Sequence, residues 1–145
     1  MSNDQNDAEI TPEKYVTDTM ALVLWLENRK LPAKVKGIFE ATTSLLASKS
    51  QVFIPGTVLA EIAYLSEKNR IDTSLQAVEK LILDSKDRFV VFTHGMEDIK
   101  SAFEITDIPE LHDRLIAGVG RFLQLEVLTN DPKIINSAFV RTLWE

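Results

Sequence analysis

Four short runs of strand-type residues, each handing over to a segment with helical periodicity, constrain this chain more than any other feature. The runs are Tyr15 and Val16, then Val52, Phe53 and Ile54, then Phe89–Phe92, then Glu126–Leu128. Between them, apolar residues recur at helical spacing, too regularly to continue the strands. Leu22, Val23 and Leu26 follow the first run, and Leu31-Pro32 breaks that pattern. Val35, Ile38, Phe39, Leu45 and Leu46 then predict an amphipathic helix over roughly 33–48, weakened slightly by Gly37. Pro55-Gly56 ends the second run, and the helical segment TVLAEIAYL starts at once. Leu75, Val78, Leu81 and Ile82 make a further one-sided helix, and Met96, Ile99 and Phe103 another. Residues 105–112 read as a loop feeding the helix of Leu115, Ile116, Val119, Phe122 and Leu123. Asn130-Asp131-Pro132 stops the fourth run, Ile134 and Ile135 begin a short helix, and residues 142–144 read as an edge strand. Strands alternating with helices through short connections predict an α/β fold whose largely parallel sheet is covered on both faces.

At 145 residues the chain makes one domain with one sizeable core. Residues 1–13 are polar and acidic and are expected to form a disordered tail, leaving 14–145 as the folded domain. Without cysteine there are no disulfides and no thiolate metal sites, and His94 and His112 fall in no zinc-binding spacing. A hard cation held by carboxylates stays open. No segment is apolar for long enough to span a membrane and the N-terminus lacks the pattern of a signal peptide, so a cytoplasmic protein is expected. The net charge of −6 looks wrong for a nucleic-acid partner, yet Asp4, Asp7, Glu9 and Glu13 in the tail contribute four of those negative charges. Net charge therefore excludes little.

Asp18, Glu61, Asp113 and Asp131 stand at strand ends or at helix starts. In an α/β sheet the crevice beyond the carboxyl ends of the strands is where ligands bind. Each acid also has a plainer reading: Asp18 as a helix cap, Asp113 as a first-turn acid beside Arg114, Asp131 as a turn residue before Pro132. Glu61 has the weakest such reading, because its flanking residues in VLAEIAYL are expected to be buried. If the four converge, their mutual repulsion calls for a divalent cation. Oxygen-only ligands suit Mg²⁺ or Mn²⁺, and such a site suits phosphodiester hydrolysis.

The four acids lie, in order, in YVTDTMALVLWL, IPGTVLAEIAYL, DIPELHDRLIAG and VLTNDPKI. With these pieces so arranged, the chain from about Tyr15 to its C-terminus resembles the PIN-domain ribonucleases, especially the VapC-type toxins of bacterial and archaeal toxin–antitoxin pairs. The resemblance implies a three-layer α/β/α sandwich, Mg²⁺ or Mn²⁺ held by Asp18, Glu61, Asp113 and Asp131, and endonucleolytic cleavage of RNA. It further implies a homodimer and a cognate antitoxin. By the same resemblance Thr129 supports the metal shell or a phosphate, and Thr19 and Arg114 are weaker candidates for contact with substrate or for bracing the acids. A basic antitoxin segment would enter the cleft, with Trp25 and Leu26 offered either to it or to the core.

Rival readings fare worse. A dehalogenase-type phosphatase needs a second aspartate where Met20 stands, a receiver domain needs a phosphorylatable aspartate that FVVFTHG lacks, and no phosphate-binding glycine loop is present. The remaining alternative is a PIN-like module that binds or assembles without catalysis. Lys68, Arg70, Arg114, Arg121 and Lys133 are candidate RNA contacts that read equally well as solvated charge.

Overall fold

The computed structural model describes residues 13–44 and 50–145. The expected tail, apart from Glu13, and the second helix's Leu45 and Leu46 lie outside the described residues. In chain order the elements are β1 (Lys14–Thr17), α1 (Thr19–Leu26), α2 (Ala33–Thr43), β2 (Gln51–Pro55), α3 (Gly56–Glu67) and α4 (Leu75–Asp84). They continue with β3 (Phe89–Phe92), α5 (Met96–Phe103), α6 (Leu111–Leu123), β4 (Glu126–Leu128), α7 (Pro132–Ile135) and β5 (Thr142–Leu143). The expected alternation is therefore present, with one boundary moved. Helix α2 stops at Thr43, short of residue 48, and Ser44 is already extended. The hydroxyls of Thr42 and Thr43 donate to the carbonyls of Ile38 and Glu40 at 2.7 Å each. Such local bonds compete with a continuing helix.

All five strands are parallel, in the order β3-β2-β1-β4-β5. Tyr15, Val16 and Thr17 are consecutive and all buried. Because successive strand residues point to opposite faces, helices must cover both sides, which makes the molecule a three-layer α/β/α sandwich. Trp25, Phe39 and Phe89 stack nearly parallel within the main core, with ring centroids 5.2 to 6.3 Å apart. Trp25 is thus a core residue, as one of its two readings had it. Among the described residues no helix is long and apolar enough to cross a membrane.

Two further contacts set the helices that matter below. A Cβ on Gly118 of α6 would lie 2.4 Å from Ala102 Cβ of α5, so only glycine lets the two backbones pack this closely. At the start of α3, Pro55 has no side chain that can cap. His94, from the loop after β3, does it instead: its Nε2 accepts the Thr57 N–H at 3.1 Å and faces the Thr57 hydroxyl at 2.7 Å. Its Nδ1 donates to Asp98 at 2.7 Å, and Asp98, only 2% exposed, also accepts the Gly95 N–H.

Candidate active site: an acidic cleft at the switch point of the sheet

From β1 the chain adds strands on one side and then returns to add β4 and β5 on the other, so the connections diverge between β1 and β4. That divergence opens a crevice at the strand ends. The Asp18 N–H donates to Leu128 O at 3.1 Å, clasping the two strand ends together. Asp18 and Asp131 therefore follow the two strands that flank the crevice.

Asp18 is 8% exposed and does cap α1, its Oδ1 accepting the Ala21 N–H at 2.8 Å. Capping and site residence turn out not to be alternatives, because the cap holds one carboxylate oxygen and orients the group at the mouth of the cleft. Burial pushes the Asp18 carboxyl up to about 6, with the charges of Asp131 and Glu61 adding to the rise and hydrogen bonds from Thr129 and Ala21 opposing it. Thr129 is fully buried. Its hydroxyl bonds the Asp18 carboxylate and accepts the Asp131 N–H at 3.0 Å, so one side chain ties two acids together. Asp131 caps α7 through the Lys133 N–H at 2.9 Å.

Glu61 stands one turn into α3 and is partly exposed. The expectation of buried flanks holds for Ile62 but not for Ala60, Ala63 or Tyr64, which lie on the outward side of the helix. The carboxylate accepts a hydrogen bond from the Thr19 hydroxyl, and His112 Nδ1 lies 3.8 Å from its Oε2. Asp113 sits in the first turn of α6, with its N–H given to the Glu110 carboxylate at 2.8 Å. Its own carboxyl is pushed up to about 6, first by burial and then by the charges of Asp131, Glu110 and Glu61. Arg114 does not brace these acids. Its Nε donates to Ile108 O at 2.6 Å, and its guanidinium lies 4.9 Å over the Phe103 ring.

All four acids line one cavity of about 350 Å³, together with Thr19 and Asn130. Among the described residues, no three acids or imidazoles are gathered tightly enough to hold an ion as they stand. The carboxylates ring the cleft without closing on a point. This donor set nonetheless fits a hard cation that keeps part of its water shell, since such an ion needs only one or two carboxylates directly. Burial is the main cause of the upward push on Asp18 and Asp113, and the part added by neighbouring acids is the repulsion that a cation would relieve.

Several site residues were not singled out from the sequence. Glu110 stands at capping spacing from Asp113, and Asn130 lies between Thr129 and Asp131. His94 carried no signal, because its partner Thr57 is far away in sequence. Trp144 reaches the cleft wall only through the docking of β5. Of the candidate cations, Arg121 is taken up by Ser101 and Glu104.

A family model described as PIN domain matches residues 15–140. The fold is also similar to a chain in the crystal structure of VapBC2 from Rickettsia felis bound to a DNA fragment from their promoter, with a TM-score of 0.66, 20% identity, and 91% of this chain and 99% of that one covered. A chain of DNA-bound VapBC from Salmonella typhimurium gives a TM-score of 0.62 at 21% identity, covering 90% of this chain and 97% of that one. PAE2754 from Pyrobaculum aerophilum gives 0.51 at 16% identity, with 90% and 83% covered. No curated protein matches the chain in sequence.

Proposed function

This chain belongs to the PIN domain family, and from that premise we propose that it is a Mg²⁺- or Mn²⁺-dependent endoribonuclease, the toxin of a toxin–antitoxin pair. The single observation that carries the reading is the meeting of Asp18, Glu61, Asp113 and Asp131, from four separate parts of the chain, in one cleft at the switch point of the sheet. When bound, the cation supplies positive charge for the phosphodiester and for the attacking water. The protein's part is positional. Asp18 is fixed by the Ala21 N–H and by Thr129, and Thr129 fixes Asp131 relative to it. Glu61 is steadied by Thr19 from the facing helix. Asp113 approaches from α6, its first turn held by Glu110.

The folded nuclease domain covers residues 14–145 in this reading, and its partners are an RNA substrate, a cognate antitoxin and a second copy of the chain in a cytoplasmic dimer. Similarity in fold to VapBC chains supports the antitoxin. A basic antitoxin segment suits a cleft whose acids have no arginine partner among the described residues. The test is Mn²⁺-dependent cleavage of a labelled RNA, with Asp18→Asn alongside. Cleavage should fall by orders of magnitude in the variant while circular dichroism stays unchanged. The wider than ligand-tight spacing of the acids favours a second reading, a PIN-like module that binds without cutting. Undiminished cleavage by pure Asp18→Asn would refute the site, and no cleavage by the wild type would favour that second reading.

A further inference from the structure

Beside the acidic cleft lies a second cavity of about 430 Å³, lined by Ala60, Glu61, Tyr64, Leu65 and His112. Glu61 and Leu65 line both cavities, so the two share a wall. Tyr64 comes three residues after Glu61 on α3 and therefore projects from the same side of the helix. It is a large ring left 56% exposed. Lys68, one turn further, holds its ammonium 5.5 Å from the ring centroid. Across the cavity, in the first turn of α6, the His112 side chain is 52% exposed, with Nδ1 held 3.1 Å from a Glu110 oxygen.

We propose that Tyr64 and His112 form a subsite for one base of a single-stranded RNA whose neighbouring phosphate lies at the four acids, a proposal that rests on the nuclease reading. The chemistry selects a base over the other parts of the strand. Glu61 and Glu110 repel a phosphate at this spot, while a neutral planar ring gains from an exposed aromatic face and from an otherwise apolar lining. The carboxylates and the imidazole at the rim offer hydrogen-bond partners to the edge of the base. Lys68, whose ammonium lies over the Tyr64 ring, supplies a cation for the strand's next phosphate. Stacking of this kind accepts any base, so the subsite sets the path of the strand more than its sequence.

The test uses the full chain, Mn²⁺ and a short labelled single-stranded RNA, together with probes that lack one base at each position in turn. Tyr64→Ala should raise KM about tenfold, and Tyr64→Phe and Tyr64→Trp should keep it near wild type. In the wild type, removing one particular base beside the cut should raise KM by a similar factor, and in Tyr64→Ala that removal should add little. Matched melting curves separate a loss of contact from a loss of fold. If the wild type cuts the probe but Tyr64→Ala shows the same KM and the same response to base removal, the subsite is refuted and the nuclease reading stands. If the wild type neither binds nor cuts the probe, the nuclease reading falls and the subsite falls with it. Loss of a co-expressed protein partner in Tyr64→Ala, with KM for RNA intact, would make this face a protein contact and refute the subsite equally.

Discussion

Asp18 is a carboxylate held where its charge is poorly solvated, and this has a direct consequence for stability. In the absence of a cation its folded-state pKa of about 6 lies above the usual value for an unfolded chain, roughly 3.9. Between those values the native state binds the extra proton, so this group makes stability fall as pH rises from about 4 through 6. By pH 7 the accumulated loss is about 3 kcal/mol, of which part is recovered wherever neighbouring acids also take up protons. Asn can still cap α1 and still meet Thr129, but it carries no charge. Asp18→Asn in chelator should therefore already be more stable than wild type at pH 5, with the gap about doubling by pH 7. Urea melts at the two pH values measure this directly. A wild type that gains stability from pH 5 to pH 7, with no flattening in the variant, would show that Asp18 is not a repelled group.

Helix α3 carries Glu61, and its first turn depends on a side chain from elsewhere in the fold. Pro55 leaves the N-terminus uncapped, and the His94 imidazole supplies the acceptor while Asp98 holds it in the required tautomer. The wiring of Thr57, His94 and Asp98 looks like a hydrolytic relay. However, the Thr57 hydroxyl is buried and Nε2 is already engaged by a backbone N–H, so the arrangement is a cap. Removing the ring in His94→Ala strands the Thr57 N–H and leaves a nearly buried Asp98 with one partner fewer. We expect a loss of about 1–3 kcal/mol, read as a lowered urea midpoint at unchanged slope. RNA cleavage should also fall, because Glu61 lies one turn further along the same helix. An unchanged midpoint in His94→Ala would mean that the cap contributes nothing.

At the scale of the whole molecule, the four acids are a cost that a ligand can relieve. A divalent ion that binds only the folded state, present at about 100 times its dissociation constant, should stabilise the wild type by roughly 2.7 kcal/mol. Glu61→Gln has no capping role to replace, so it separates a ligand from a structural acid more cleanly than a change at Asp131, where the side chain caps α7. The measurement is a set of melting curves in chelator, Mg²⁺, Mn²⁺ and Ca²⁺ at matched ionic strength. Equal shifts for wild type and Glu61→Gln would remove Glu61 from the metal site.

The alternation of strands and helices, the parallel sheet and the four acids were legible in the sequence because each rests on local pattern. Side chains at period two or 3.6 declare their element, and an acid at an element end declares its place in the chain. Strand order was not legible in that way, since no residue in β1 says whether β2 or β4 will lie beside it. Only the tertiary structure set the switch point between β1 and β4, and with it the distance from Asp18 to Asp131. The same holds for Thr129 tying two acids together, for His94 capping a helix 37 residues before it, and for Arg114 turning to Ile108 and Phe103. The outward face of α3 at Tyr64 was hidden as well, because TVLAEIAYL is apolar on more sides than the fold buries. Local periodicity fixes which elements form; contacts between residues distant in sequence decide which side chains meet.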